Sequence, residues 1–127
     1  MNIALNRILM VDDEEDLRTL AGLALGDIGG FILEICSSGQ EALDKVTACQ
    51  PDLILLDVIM PVMDGPATFT ELKKLPEIAS TPIFFLTAKT EDNEVAELLA
   101  LGAEGVLAKP FDPMTLAETV REKWSQI

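Results

Sequence analysis

Five short apolar runs, each followed by a stretch of helical periodicity, constrain this chain more than any other feature. They are RILMV (7–11), FILEIC (31–36), LILLD (53–57), PIFFLT (82–87) and GVLAK (105–109). The third and fourth are apolar almost throughout, the pattern of parallel strands covered on both faces. Amphipathic segments lie between and after them. The first carries Leu17, Leu20, Ala24 and Ile28 at helical spacing despite Gly22 and Gly26. Ser38 and Glu41 match a capping box at the start of the second. Asp64 as N-cap and Pro66 in the first turn open the third, which stops before Pro76. The fourth sets Val95, Leu98 and Leu99 on one face after acids at 91, 92 and 94, which suit a helix N-terminus. The fifth opens at DPMT (112–115) and presents Leu116, Val120 and Trp124 four residues apart. Five βα units of this kind predict an α/β fold, a single parallel sheet with helices on both faces. At 127 residues, one domain over 1–127 is expected, with a real core and no room for an output domain.

Composition narrows the chemistry. Twenty-two acids against nine bases leave a net charge of −13, which disfavours binding to nucleic-acid phosphates. The chain has no histidine, so His-based triads and His-ligated zinc are excluded. No apolar run approaches the ~20 residues of a membrane span. MNIALNR lacks the features of a signal peptide, and the two cysteines, Cys36 and Cys49, read as reduced thiols. A cytoplasmic protein without membrane insertion is expected.

In open α/β sheets, ligands bind beyond the carboxyl ends of the strands. The residues that end each strand are therefore the candidates. Strand 1 runs into Asp12 and Asp13, strand 3 ends in Asp57, strand 4 in Thr87 and strand 5 in Lys109, while strand 2, an edge, ends in Cys36 and Ser37. Two carboxylates about 4 Å apart repel by roughly 4 kcal/mol at an effective dielectric near 20, so a cluster of three needs a compensating charge. A hard divalent cation such as Mg²⁺ suits oxygen donors of this kind. Taken singly, each residue has a plainer role. Acids after a strand often just start a helix, a threonine often makes a turn, and a lysine usually snorkels to the surface. Met60 and Met63 read as packing residues. Asp57 is harder to explain away, because it closes the most apolar strand.

The segments VDD (11–13), DVIMPVMDG (57–65), LTAK (86–89) and AKPF (108–111) resemble the receiver domain of bacterial response regulators, over about residues 6 to 124. The resemblance implies a doubly wound, flavodoxin-like (βα)5 sheet of strand order 2-1-3-4-5. It implies that Asp57 accepts a phosphoryl group from a histidine kinase or a histidine phosphotransfer protein. Asp13, Asp57 and the backbone carbonyl of Ile59 would ligate Mg²⁺, with Asp12 acting through water. Lys109 would pair with the phosphoryl oxygens and Thr87 would bond one of them after activation. Gly65 would supply the turn after the Asp57 loop, and Pro110 would follow a cis peptide. The output would be altered binding to a downstream protein, as a monomer or a phosphorylation-dependent dimer. Ile59 and Lys89 would flank the path of hydrolytic water. One departure concerns the switch. Many receivers carry an aromatic residue in strand 5 where this chain has Val106, and the chain contains no tyrosine. That leaves room for a second reading, a binding module of the same fold that ignores phosphorylation. Enzyme readings fit less well. A flavin site would need a Ser/Thr/Gly-rich loop where DDEED stands, aspartyl-phosphate hydrolases usually carry a second Asp where Ile59 stands, and an EF-hand would need a glycine after DDEED.

Overall fold

The computed structural model describes residues 4–127. Its strands are β1 (Arg7–Val11), β2 (Ile32–Cys36), β3 (Leu53–Asp57), β4 (Ile83–Thr87) and β5 (Gly105–Ala108). Helix α1 (Glu15–Ala21) continues as a π-helical segment (Gly22–Ile28). It is followed by α2 (Gly39–Cys49), α3 (Gly65–Lys73), α4 (Asp92–Leu101) and α5 (Leu116–Ser125). All strand pairs are parallel, in the order β2-β1-β3-β4-β5, as the resemblance implied.

Successive strand residues serve opposite layers. Leu9, Val11, Ile54, Leu56, Ile83 and Phe85 pack with Ala42, Val46, Phe69, Leu72 and Leu98 of α2, α3 and α4. Ile8, Met10, Leu53, Leu55, Phe84 and Leu86 pack with Ala21, Leu25, Leu116, Ala117 and Val120 of α1, its π segment and α5. Every residue of β3 and β4 is buried, which is why those strands read as apolar runs.

Local signals act where the sequence placed them, with five shifts. Ser38 Oγ accepts from the Glu41 N–H at 3.1 Å, but the Glu41 carboxylate returns to the Ser37 N–H rather than to that of Ser38. Asp64 caps α3 through the Ala67 N–H at 2.9 Å, with Pro66 in the first turn. β5 ends at Ala108, so Lys109 lies just past the strand, and α5 begins at Leu116, after a turn in which the Asp112 carboxylate accepts from Met114 N–H. Leu99 is 45% exposed, because a helical step of about 100° carries it away from buried Leu98. Ile28, expected on the buried face, is 44% exposed. The π segment takes up one extra residue per hydrogen-bonded turn, which brings Ala21, Ala24 and Leu25 to the sheet and rotates Ile28 outward.

Candidate functional site

The chain leaves β1 toward β2 and returns to β3 on the other flank of β1. This reversal opens a crevice at the carboxyl ends of β1 and β3. Asp12 and Asp13 follow β1, Asp57 is the last residue of β3, Thr87 the last of β4, and Lys109 comes one residue after β5. Carboxylate oxygens of Asp12, Asp13 and Asp57 lie within 4.8 Å of one another. Asp12 is fully buried, while Asp57 and Thr87 are each 3% exposed. Side chains from four strand ends therefore meet in one place.

Lys109 ties two of the acids together. Its Nζ donates to Asp57 Oδ1 at 3.0 Å and lies 3.1 Å from Asp12 Oδ2. Burial works against the ammonium charge, but its bonds to Asp57 and Asp12 outweigh that and hold it above the ordinary lysine value. Burial pushes the Asp57 carboxyl up from 3.8 to about 6; the Lys109 bond pulls the other way, and the Asp12 charge adds to the rise. Even so, a carboxyl at about 6 is mostly ionised at neutral pH.

Asp12 is fastened through its backbone and Oδ1, while its buried Oδ2 has an ion pair with Lys109 and no hydrogen bond. Its N–H donates to the Cys36 carbonyl at 3.1 Å, and its Oδ1 accepts from Glu14 N–H at 2.9 Å. Its carbonyl accepts from Arg18 Nη1 at 3.0 Å, and its Oδ2 faces Lys109. Asp13 differs: its Oδ1 is buried without a hydrogen-bond partner. A buried, orphaned carboxylate oxygen beside two further carboxylates is costly unless a cation completes it. These hard oxygen donors fit Mg²⁺. The sequence reading passed over Arg18. The available signal was an arginine one turn into a helix, whose side chain points back toward the helix N-terminus and hence toward the acids.

The loop after Asp57 is braced by backbone bonds from Val58 N–H to the Leu86 carbonyl (3.1 Å) and from Gly65 N–H to the Val58 carbonyl (2.7 Å). Gly65 is the first residue of α3 and does not take a left-handed conformation. Its small size serves a close approach instead: a Cβ there would collide with the Asp57 carbonyl oxygen and come within 2.7 Å of Val58 Cα. The left-handed residue of the loop is Val62, at φ +68°, over which Met63 N–H reaches the Pro61 carbonyl at 2.7 Å. Thr87 Oγ1 accepts from Lys89 N–H at 3.0 Å, so the hydroxyl organises its own loop here. The Lys109–Pro110 peptide is cis. Val106 is half-buried, pairs with Phe85 across β4 and β5, and packs on the layer that holds α4.

Over the acids lies a cleft of about 530 Å³, lined by Asp13, Asp57, Thr87 and Lys109 with Leu17, Ile59 and Pro110. Ile59 is 64% exposed at its mouth; Lys89 is exposed outside the lining. A second cleft, of about 490 Å³, lies at the opposite end of the sheet near Pro51, Pro82 and Trp124. It lacks convergent chemistry, its Asp52 carboxylate being taken up by the N–H groups of Asn6 and Arg7. Both cysteines are free, and burial pushes the Cys36 thiol up to about 12.

Residues 8–121 match the family model described as response regulator receiver domain. The chain is 38% identical over 115 residues to the alkaline phosphatase synthesis transcriptional regulatory protein PhoP of Bacillus subtilis (strain 168), covering 91% of this chain and 47% of that protein. It is 36% identical over 109 residues to the regulatory protein AtoC of Escherichia coli (strain K12), covering 86% of this chain and 23% of that one. The chain thus spans about half the length, or less, of these curated relatives. Among solved structures it is similar to the chemotaxis response regulator CheY4 of Vibrio cholerae, with a TM-score of 0.86 and 35% identity over 94% of this chain and 99% of that one. A response regulator from Desulfuromonas acetoxidans gives a TM-score of 0.83 at 29% identity, over 96% and 98% of the two chains. A match that runs through both helical layers and every strand end leaves one assignment: the chain belongs to the receiver-domain family of two-component response regulators.

Proposed function

We propose that this receiver is a phosphoacceptor switch, in which Asp57 takes a phosphoryl group from a phosphohistidine of a histidine kinase or phosphotransfer protein. The observation that carries the reading is the Lys109 ammonium, 3.0 Å from Asp57 Oδ1 at the floor of an open cleft. An Asp57 carboxylate oxygen forms the new O–P bond as the imidazole N–P bond breaks; the electron pair and a proton end on the ring nitrogen. Catalysis of such a transfer rests on positioning and on positive charge near the phosphoryl oxygens. Lys109 is held rigidly enough by two carboxylates to supply that charge. Asp13, Asp57 and the Ile59 carbonyl, with Asp12 through water, would hold Mg²⁺, which supplies further charge neutralisation when bound.

Phosphorylation adds charge and acceptor oxygens, to one of which the Thr87 O–H can donate while its Oγ1 accepts from Lys89 N–H. Thr87 and Val106 serve the same sheet face, so a shift of the β4–α4 loop reaches the α4 layer by packing. Val106 can fill space there but can neither swing far nor hydrogen-bond. The downstream consequence is altered binding to another protein.

Incubation with acetyl phosphate and Mg²⁺ should label the wild type with acid-labile phosphate and leave Asp57→Asn unlabelled. Stable Mg²⁺-dependent labelling of Asp57→Asn would overturn the assignment. A wild type that takes no phosphate but still binds its partner would favour the phosphorylation-independent reading that Val106 leaves open.

A further inference from the structure

We infer that Arg18 is a positioning residue for the cation site, acting through the Asp12 carbonyl to aim Asp13. The inference rests on the Mg²⁺ reading above. Arg18 lies within α1, half-buried, and reaches back six residues so that Nη1 meets the Asp12 carbonyl at 3.0 Å. That carbonyl belongs to a fully buried residue, just before the helix start at Glu15, where no intrahelical N–H serves it. The carbonyl of Asp12 and the N–H and Cα of Asp13 share one peptide plane, so a bond that fixes the carbonyl fixes where the Asp13 Cα sits and leaves rotation about its N–Cα bond as the remaining backbone freedom of its side chain. Asp12 needs no such help, since its N–H and Oδ1 are hydrogen-bonded and its Oδ2, though without a hydrogen bond, is ion-paired with the Lys109 ammonium. Asp13 does, because its buried Oδ1 has no hydrogen-bond partner to orient it. A ligand oriented by the backbone alone is only as well placed as its peptide plane.

Coulomb's law and positioning make opposite predictions here. Arg18 brings a positive charge to the neighbourhood of the cation site, so on charge alone its removal would tighten Mg²⁺ binding. If its task is to aim Asp13, its removal weakens binding, as losses of outer supports around metal ligands do by about 10- to 100-fold. A purely structural role would lower the melting midpoint and leave Mg²⁺ affinity unchanged.

The experiment is calorimetric titration of Mg²⁺ alone into the metal-free protein, with melting midpoints in EDTA measured alongside. Arg18→Met keeps the apolar stem and should weaken Mg²⁺ binding by about tenfold. Arg18→Lys, which keeps a donor and the charge, should recover most of it. Arg18→Gln also removes the charge and should weaken binding at least about threefold, and it decides the matter alone if Arg18→Met does not fold. Unchanged or tighter binding in the neutral variants, with normal wild-type binding, would overturn the role of Arg18 and leave the metal reading intact. A wild type that binds no Mg²⁺, or an Asp13→Asn variant that binds it equally well, would overturn both.

Discussion

At the scale of single residues, two apolar side chains in the Asp57 loop stand where polar ones would be easier to explain. Ile59 is 64% exposed at the mouth of the cleft. Hydrolysis of an aspartyl-phosphate needs a water lined up opposite the Asp57 oxygen, and Ile59 offers that water no hydrogen bond. Lys89 has donors but no acceptor, and it sits outside the cleft lining. The phosphorylated protein should therefore be long-lived among receivers, with Ile59 as the main cause. Following phosphate loss after removal of the donor checks this: Ile59→Asn should shorten the lifetime several-fold. Wild-type decay within seconds, or an unchanged rate in the variant, would refute it. Val62 is fully exposed and holds φ at +68°. A β-branched residue in the left-handed region is an outlier that costs about 1–2 kcal/mol. Asn tolerates that region far better, so Val62→Asn should raise stability by about 1 kcal/mol in a denaturant titration. A gain that vanished would mean that the loop relaxes around Val62 in solution.

At the scale of elements, the end of the first helix shows how two adjacent glycines serve different needs. Gly30, at φ +77°, is the left-handed residue that stops the π segment. Its N–H bonds the Gly26 carbonyl at 2.9 Å, while Phe31 N–H reaches the Leu25 carbonyl at 3.0 Å, each bond spanning one residue more than in the Schellman end of an α-helix, as suits a π segment. Nothing lies within 4 Å of a Cβ placed on Gly30, so conformation alone opposes substitution. Gly29 is not left-handed, but a Cβ there would lie 2.8 Å from the Leu25 carbonyl and 2.9 Å from Ala117 Cβ of α5. Gly30→Ala should cost about 1–2 kcal/mol through φ alone. Gly29→Ala should cost more and disturb the α1–α5 contact, which Arg121 spans by donating to the Gly29 carbonyl at 2.5 Å from above the Phe31 ring. Parallel melts of the two variants check the order. Equal costs would mean that α5 yields to accommodate the extra methyl.

At the scale of the whole molecule, a net charge of −13 and a buried acid cluster predict a stability that depends on pH and on cations. Burial raises the Asp57 carboxyl from 3.8 to about 6, so between those pH values the folded state binds more protons than the unfolded one. Stability without Mg²⁺ should therefore fall as pH rises through that window, by about 3 kcal/mol when complete. Asp57→Asn should lose this slope and, in EDTA at neutral pH, melt above the wild type. Mg²⁺ should restore the wild type by binding the folded state alone. A wild-type melting midpoint that did not differ from that of Asp57→Asn between pH 4 and 7 would refute the account. The fold was largely legible in the sequence, because burying both faces of LILLD and IFFLT requires two helical layers and hence a doubly wound sheet. The strand ends were legible too, since ligands in such sheets gather there, and Asp12, Asp13, Asp57, Thr87 and Lys109 do come together. Tertiary structure decided what depends on contacts distant in the chain. The π turn that swings Ile28 outward is set by packing on the sheet, and α-helical periodicity cannot register it. Gly65 reads as a turn residue until the Asp57 carbonyl is seen where its Cβ would be. The reach of Arg18 to the Asp12 carbonyl is likewise a contact made only on folding. Sequence by itself determined which groups reach the crevice, because period and strand length depend on neighbours along the chain; which of them hold one another in place was decided only by folding, because hydrogen bonds and close approaches depend on neighbours in space.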